Sequence, residues 1–211
     1  MKGLLCLLSL LLLGAGPADR GPAGTYRLVG EQDVASGLRL EPDGRFQYFL
    51  IAGALDERAA GRWSAAGGVV SRTTAPRPGP PKFETGPSTR TKAAALAVKV
   101  NSPAGDGIAG VDLRIGFDSG PPVEAYTQED GWSLPAGEKR IPRWIELSVP
   151  MHTLASPRFP IDLARGNALA FTLVPNDLGV VDFAGIRVET AGTALVMQRW
   201  GAKLRYEPAG E

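Results

Sequence analysis

The sequence predicts an all-β protein: an antiparallel barrel or sandwich with a second, inserted β-sandwich, following a cleaved signal peptide. Three observations carry this reading. After residue 18 the chain is a succession of short alternating segments separated by Gly, Pro, Asp and Asn, the pattern of antiparallel strands and turns. No helical stripe of apolar residues appears there, and 27 glycines and 18 prolines would interrupt long helices almost everywhere. The first 18 residues stand apart from both patterns.

In that leading segment Lys2 precedes an apolar run from Leu4 to Leu13, and small residues follow at Gly14, Ala15, Gly16, Pro17 and Ala18. A charge, an apolar stretch and a small-residue site make up a secretory signal, with the cut placed after Ala18. The run falls short of the roughly 20 apolar residues that a bilayer requires. Cys6 lies too early, with no apolar stretch before it, to be a lipidated cysteine. The mature chain is therefore expected to be secreted or periplasmic, with no transmembrane segment.

The whole chain has 23 Lys and Arg against 22 Asp and Glu. Removing residues 1–18 removes Lys2 and no acid, leaving the two signs equal in number. A nucleic-acid partner needs a basic footprint to neutralise phosphates, and an anionic membrane surface needs the same excess. Neither is expected here: Lys139-Arg140 and the scattered arginines read as solvated faces. The one cysteine leaves with the signal peptide, so the mature chain has no disulfide, thiol nucleophile or thiolate metal site. Roughly 190 residues can nevertheless bury a core of their own.

The first block, residues 19–74, opens with Thr25 to Val29. Gly37 to Glu41 leads through Pro42-Asp43-Gly44 into Arg45 to Ile51. Proline presets φ, aspartate bonds back to the backbone and glycine accepts positive φ, so this tripeptide predicts a hairpin. Leu38 and Leu40 share one strand face; Phe46, Tyr48 and Leu50 share another. A strand through Gly61 to Ser64 then turns at Gly67-Gly68 into Val69 to Thr73. Pro76, Pro78, Pro80 and Pro81 next exclude a central strand, and residues 75–93 are expected to form a stiff linker.

The second block, residues 94–155, holds Leu96 to Val100, the strictly alternating Val111 to Phe117, Val123 to Thr127, Trp132 to Leu134 and Trp144 to Val149. The third, residues 156–211, holds Phe159 to Leu163, Leu169 to Val174, Ile186 to Glu189, Ala194 to Gln198 and Lys203 to Tyr206. About 50 residues bury little core alone. Residues 19–74 are therefore expected to pair with residues 156–211 as one barrel or sandwich, interrupted by the second block. Three sequential units packed in a row are the alternative.

The middle block resembles carboxypeptidase-regulatory-like domains, which are small transthyretin-like β-sandwiches. The matching residues are Gly107 to Leu113, then Thr127, with Asp130-Gly131-Trp132. The likeness covers residues 96–150, and it departs from the family pattern in placing Asp130-Gly131 directly before the aromatic. It implies an accessory or adhesion-like role and no catalytic residues. The flanking blocks look like lipocalin-like barrels in Gly24-Thr25-Tyr26, the Asp43-Gly44 hairpin and Gly61-x-Trp63; this is a likeness of fold, which does not determine function.

Chemistry-bearing residues are sparse. The one histidine, His152, falls in a loop, and no G-x-S-x-G element presents a serine to it. Multi-histidine zinc sites are excluded by count. Asp118-Ser119-Gly120 matches the aspartic-protease tripeptide, but Pro121-Pro122 follow it, and a hairpin turn explains it. Glu129, Asp130, Asn176 and Asp177 could offer oxygens to calcium, without the spaced ladder of an EF-hand; turn chemistry explains them as well. Asp56 and Glu57 are adjacent and would point to opposite faces of a strand. Among the aromatics, Tyr48, Trp63, Tyr126 and Trp132 are the candidate ligand-binding residues, with the core as the competing role. The expected function is a non-enzymatic exported module that binds a macromolecule, such as another envelope protein, or supports envelope assembly. The alternative is a barrel carrying a small apolar ligand. A hydrolase ranks third, and no cofactor or metal is implied.

Overall fold

The computed structural model describes residues 21–93 and 95–210. The predicted signal peptide and its cleavage point lie outside these residues. None of the helices among them is long and apolar enough to cross a membrane.

The chain runs through β1 (Gly24–Val29), β2 (Val34–Leu40), β3 (Arg45–Ala52), β4 (Leu55–Ala66) and β5 (Val69–Thr74). It continues through β6 (Lys82–Thr89), β7 (Ala97–Asn101), β8 (Asp112–Phe117), β9 (Val123–Tyr126), β10 (Trp132–Ser133) and β11 (Pro142–Val149). After a 3-10 turn at Pro150–His152 come β12 (Leu154–Ala155), β13 (Phe159–Pro160) and β14 (Ala168–Val174). It ends with β15 (Ala184–Ala191), β16 (Ala194–Arg199) and β17 (Ala202–Pro208).

The first five strands and the last three close one antiparallel barrel in the order β1-β17-β16-β15-β5-β4-β3-β2. Leu28 on β1 faces Tyr206 on β17, and Val70 on β5 faces Val188 on β15. Closure leaves this sheet no edge strand, which removes a template for aggregation. Period-two alternation sorts the side chains. On β3, Phe46, Tyr48 and Leu50 are buried while Gln47, Phe49 and Ile51 are exposed. The Pro42-Asp43-Gly44 turn forms as its residues require, with Gly44 at φ +82° and Asp43 Oδ1 accepting from the Arg45 N–H at 3.1 Å.

β4 is longer than its neighbours. It pairs with β3 through Leu55 to Arg62 and with β5 only from Gly61 onward. The chain returning from the inserted unit takes the place left beside Arg58. The Arg58 N–H donates to the Gly179 carbonyl, and the Val181 N–H donates to the Arg58 carbonyl, each at 2.9 Å. Thr74 secures the turn inward: its hydroxyl donates to the Val181 carbonyl at 2.7 Å and accepts from the Phe183 N–H at 2.9 Å. Phe183 is 1% exposed and packs into the barrel core with Phe46 and Tyr48.

The inserted unit has two sheets, β10-β7-β14-β6 and β12-β11-β8-β9, with β13 on β11. Val98, Val100 and Phe171 of the first share a core with Leu113, Ile115 and Ile145 of the second, so the sheets pack face to face. Gly116 permits close contact across β8 and β11: a Cβ there would lie 2.0 Å from the Trp144 ring.

Two segments lie elsewhere than the sequence predicts. Residues 82–89, expected within the linker, form β6 and pair with β14. Pro76, Pro78, Pro80 and Pro81 all precede the strand. Pro87 is tolerated because β6 is a sheet edge and the register slips opposite Gly86-Pro87, between Leu169 and Phe171. Residues 159–160 and 168–174, expected in the outer unit, pair inside the inserted one. β14 runs parallel to β7 and sends Leu169, Phe171 and Leu173 into the second core. Alternation marks a strand as half-buried but does not say which of two cores receives it.

Candidate functional site

The structure does not bring the four candidate aromatics together: two lie in the barrel and two in the inserted unit. Tyr48 is 3% exposed and meets Phe183 edge-to-face, with ring centroids 5.1 Å apart. Trp63 is half-buried against the barrel core, and its Nε1 donates to the Glu41 carbonyl at 2.9 Å, pinning the β2–β3 turn to β4. Trp132 is half-buried against the second core on β10. These three rings serve packing. Tyr126 alone is open to solvent, 60% exposed on the edge strand β9.

The other chemistry-bearing residues also occupy structural positions. Asp118 sits in the turn after β8, where its N–H donates to the Ile141 carbonyl at 2.9 Å and its Oδ1 accepts from the Ile141 N–H at 3.1 Å. Asn176 Nδ2 donates to the Pro80 carbonyl at 2.7 Å, and Asp177 Oδ2 accepts from the Gly79 N–H at 2.8 Å. These two residues tie together the two connectors between barrel and inserted unit. Asp56 points outward and Glu57 inward, as their adjacency on a strand requires. Among the described residues no three His, Cys, Asp or Glu side chains gather as a metal-holding group.

Two surface grooves differ in their electrostatics. One, of about 670 Å³, lies on the β8–β9–β11 sheet and is lined by Asp112, Arg114, Glu124 and Glu146. It is acidic on balance, with its glutamates paired: Arg114 reaches Glu124 at 3.6 Å and Glu146 at 3.7 Å, and Arg158 reaches Glu146 at 2.8 Å. The other, of about 650 Å³, lies on β1–β2–β3 of the barrel and has Arg27 and Arg39 in its lining but no acid. Arg39 is paired with Glu41 at 2.7 Å, whereas Arg27 has no ion pair among the described residues.

The apolar part of this barrel groove has a local cause. Gly37 stands opposite Phe49 in the β2–β3 register, and the Phe49 ring occupies the space a side chain would fill: a Cβ at position 37 would lie 2.5 Å from it. Phe49 and its neighbour Ile51 are each 46% exposed, and Val29 on β1 is 37% exposed. Large apolar residues massed on one outer face call for an explanation that a single exposed residue does not.

Inside the barrel lies a polar cluster that the sequence reading did not single out. Arg199 Nη2 donates to both carboxylate oxygens of Glu57, at 2.6 and 2.5 Å. The Ser36 hydroxyl donates to the Phe49 carbonyl at 2.6 Å and accepts from the Tyr206 hydroxyl at 2.8 Å. Arg72 is 0% exposed, with its guanidinium carbon 4.1 Å from the centroid of the Phe183 ring and Nη2 2.7 Å from Met197 Sδ. Burial pushes Arg72 down to about 10 and raises the Tyr206 and Tyr48 phenols above their ordinary value. The available signal was parity: Val70, Arg72 and Thr74 alternate inward on β5. The adjacent Val69-Val70 pair leaves that parity ambiguous from sequence.

No protein-family model, curated protein or solved structure matches this chain.

Proposed function

We propose that the mature protein is an exported, non-enzymatic binding module that docks an acidic segment of another macromolecule on the outer face of its barrel. The observation carrying this reading is the β1–β2–β3 groove, where exposed Phe49 borders Arg27 and Arg39 and the lining holds no acid. Apolar contact would supply affinity, and Arg27, which has no ion pair among the described residues, would select an acidic partner and speed encounter. The likeness of the middle block to carboxypeptidase-regulatory-like domains supports an accessory role. The rival carrier reading has less support, because Phe46, Leu50, Met197 and Phe183 fill the interior of the closed barrel.

Photo-cross-linking tests this reading. A benzophenone side chain at position 49 of the exported protein should give one dominant adduct with an acidic macromolecule, and Arg27→Glu should abolish it. The same probe at position 126 should not capture that molecule. Equal capture from both positions, or an adduct indifferent to Arg27→Glu, would rule the docking face out. A homodimeric adduct would make a second copy of this chain the occupant and overturn the acidic-partner reading.

A further inference from the structure

The barrel interior holds more positive than negative charge. Arg72, Arg199 and Glu57 all occupy inward positions of their strands. Glu57 is engaged through both oxygens by Arg199 and forms no ion pair with Arg72. The groups that act electrostatically on Arg72 are Tyr206, Tyr48 and Arg199, two neutral phenols and a second cation. Arg72 therefore carries a charge with no carboxylate partner, in a position that is 0% exposed.

Its hydrogen bonding is incomplete as well. Arg72 Nε and Nη1 are buried without a hydrogen-bond partner among the described residues. The Tyr48 hydroxyl is buried beside that of Tyr206, close enough to act on it as a weak hydrogen-bond neighbour, yet within full hydrogen-bonding geometry of no partner among the described residues. Arg199 Nε is likewise buried without a partner. These donors belong to one neighbourhood: the guanidinium carbons of Arg72 and Arg199 lie 5.8 and 6.0 Å from the Tyr48 ring centroid, and 4.1 and 5.7 Å from that of Phe183. Aromatic faces offset part of a buried cation's lost hydration. They offer no acceptor in the guanidinium plane, where its N–H groups point. Uncompensated buried charge is among the costliest features a core can retain.

We propose that the barrel interior binds a small monovalent anion, chloride or a carboxylate group, at Arg72 with the Tyr48 hydroxyl as a second donor. One excess positive charge calls for one negative charge, and every unpartnered polar atom of the cluster can donate. A monovalent acceptor answers both conditions; a cation or a neutral donor answers neither. The site lies on the inner face of the barrel wall, whereas the docking face presents the outward side chains Arg27, Arg39 and Phe49.

Thermal unfolding of the mature chain at constant ionic strength tests this, with isethionate, which carries no carboxylate, replaced stepwise by chloride, by acetate or by decanoate. Binding to the folded state alone raises the midpoint with the logarithm of one plus the ratio of free anion concentration to Kd, and a shift of about 3–5 °C is expected for the anion that fits. A shift with chloride or acetate identifies a free anion; because side chains fill the interior, a shift with decanoate alone would show an acyl chain entering it and would overturn the small-anion site. Arg72→Met should abolish the shift. Tyr48→Phe keeps the ring and serves where Arg72→Met does not fold; it should raise the Kd fitted to that dependence by about threefold or more, the loss of one hydrogen bond. Superimposable curves in all four anions, a shift that survives Arg72→Met, or a fitted Kd unchanged in Tyr48→Phe would overturn the proposal.

Discussion

Arg199 on β16 and Glu57 on β4 meet inside the barrel, one guanidinium nitrogen donating to both carboxylate oxygens at 2.6 and 2.5 Å. Their strands are separated in the sheet by β15 and β5, so the pair bridges across the interior. The two side chains are 16% and 12% exposed. Arg199 also lies over Trp200, its guanidinium carbon 4.4 Å from the ring.

Removing one member leaves the other largely buried and unpaired. Arg199→Met should cost about 2–3 kcal/mol in urea unfolding, below the roughly 3–5 expected of a fully buried pair because some water reaches both groups. Glu57→Gln keeps an acceptor oxygen and should cost less. A loss under about 0.5 kcal/mol for Arg199→Met would mean that the pair stays solvated.

The second core ranks its members by burial. Ile145 is 0% exposed and lies between sheets, whereas Trp132 is half-buried at a sheet edge. Ile145→Ala should cost about 3–5 kcal/mol and Trp132→Ala about 2–3, because part of the Trp132 ring already meets water. The reverse order in denaturant unfolding would place the tryptophan deeper than the strand order does.

Alkaline pH should destabilise the barrel. Burial raises Tyr26, Tyr48 and Tyr206 in the folded state. A raised phenol contributes stability that is complete below its unfolded value near 10 and is lost as pH climbs toward the folded value. Each such tyrosine steepens the fall by about 1.4 kcal/mol per pH unit. Arg72 works in the opposite sense: it is lowered to about 10 in the folded state, so its charged form penalises folding at neutral pH and that penalty lifts above pH 10. Three phenols against one guanidinium give a net fall. Tyr206→Phe should flatten the decline measured by chemical unfolding between pH 10 and 11; an unchanged slope would contradict the burial of that phenol.

The inserted unit supplies a prediction about boundaries. A fragment of residues 82–174 contains both sheets and should unfold cooperatively on its own. A fragment of residues 94–155 lacks β6 and β14, and with them Phe83, Leu169, Phe171 and Leu173 of the core. It should show no cooperative transition by circular dichroism. Cooperative unfolding of the shorter fragment would show that those four residues are dispensable.

Legibility in the sequence followed what local pattern can encode. The Pro42-Asp43-Gly44 hairpin and the alternation of Phe46, Tyr48 and Leu50 are local chemistry, and both appear in the structure. β6 was hidden because Gly86-Pro87 reads as a break, and only a sheet edge with a slipped register accommodates it. β14 was visible as a strand but not as a partner of β7, because partnership is decided by the core it fills. Arg72 and Arg199 read as surface charges, since a lone arginine in a strand carries no mark of the side it faces. The outer groove depends on Gly37 meeting Phe49 across two strands, a relationship of register that composition does not contain.

The docking face is tested most directly by carbene footprinting of the mature protein, comparing the purified chain with the chain in its native exported fraction. Phe49, Ile51 and Val29, exposed in the isolated protein, should be labelled several-fold less in the native fraction, while Tyr126 on the inserted unit is labelled equally in both. Equal labelling of Phe49 and Ile51 in the two samples would contradict the account.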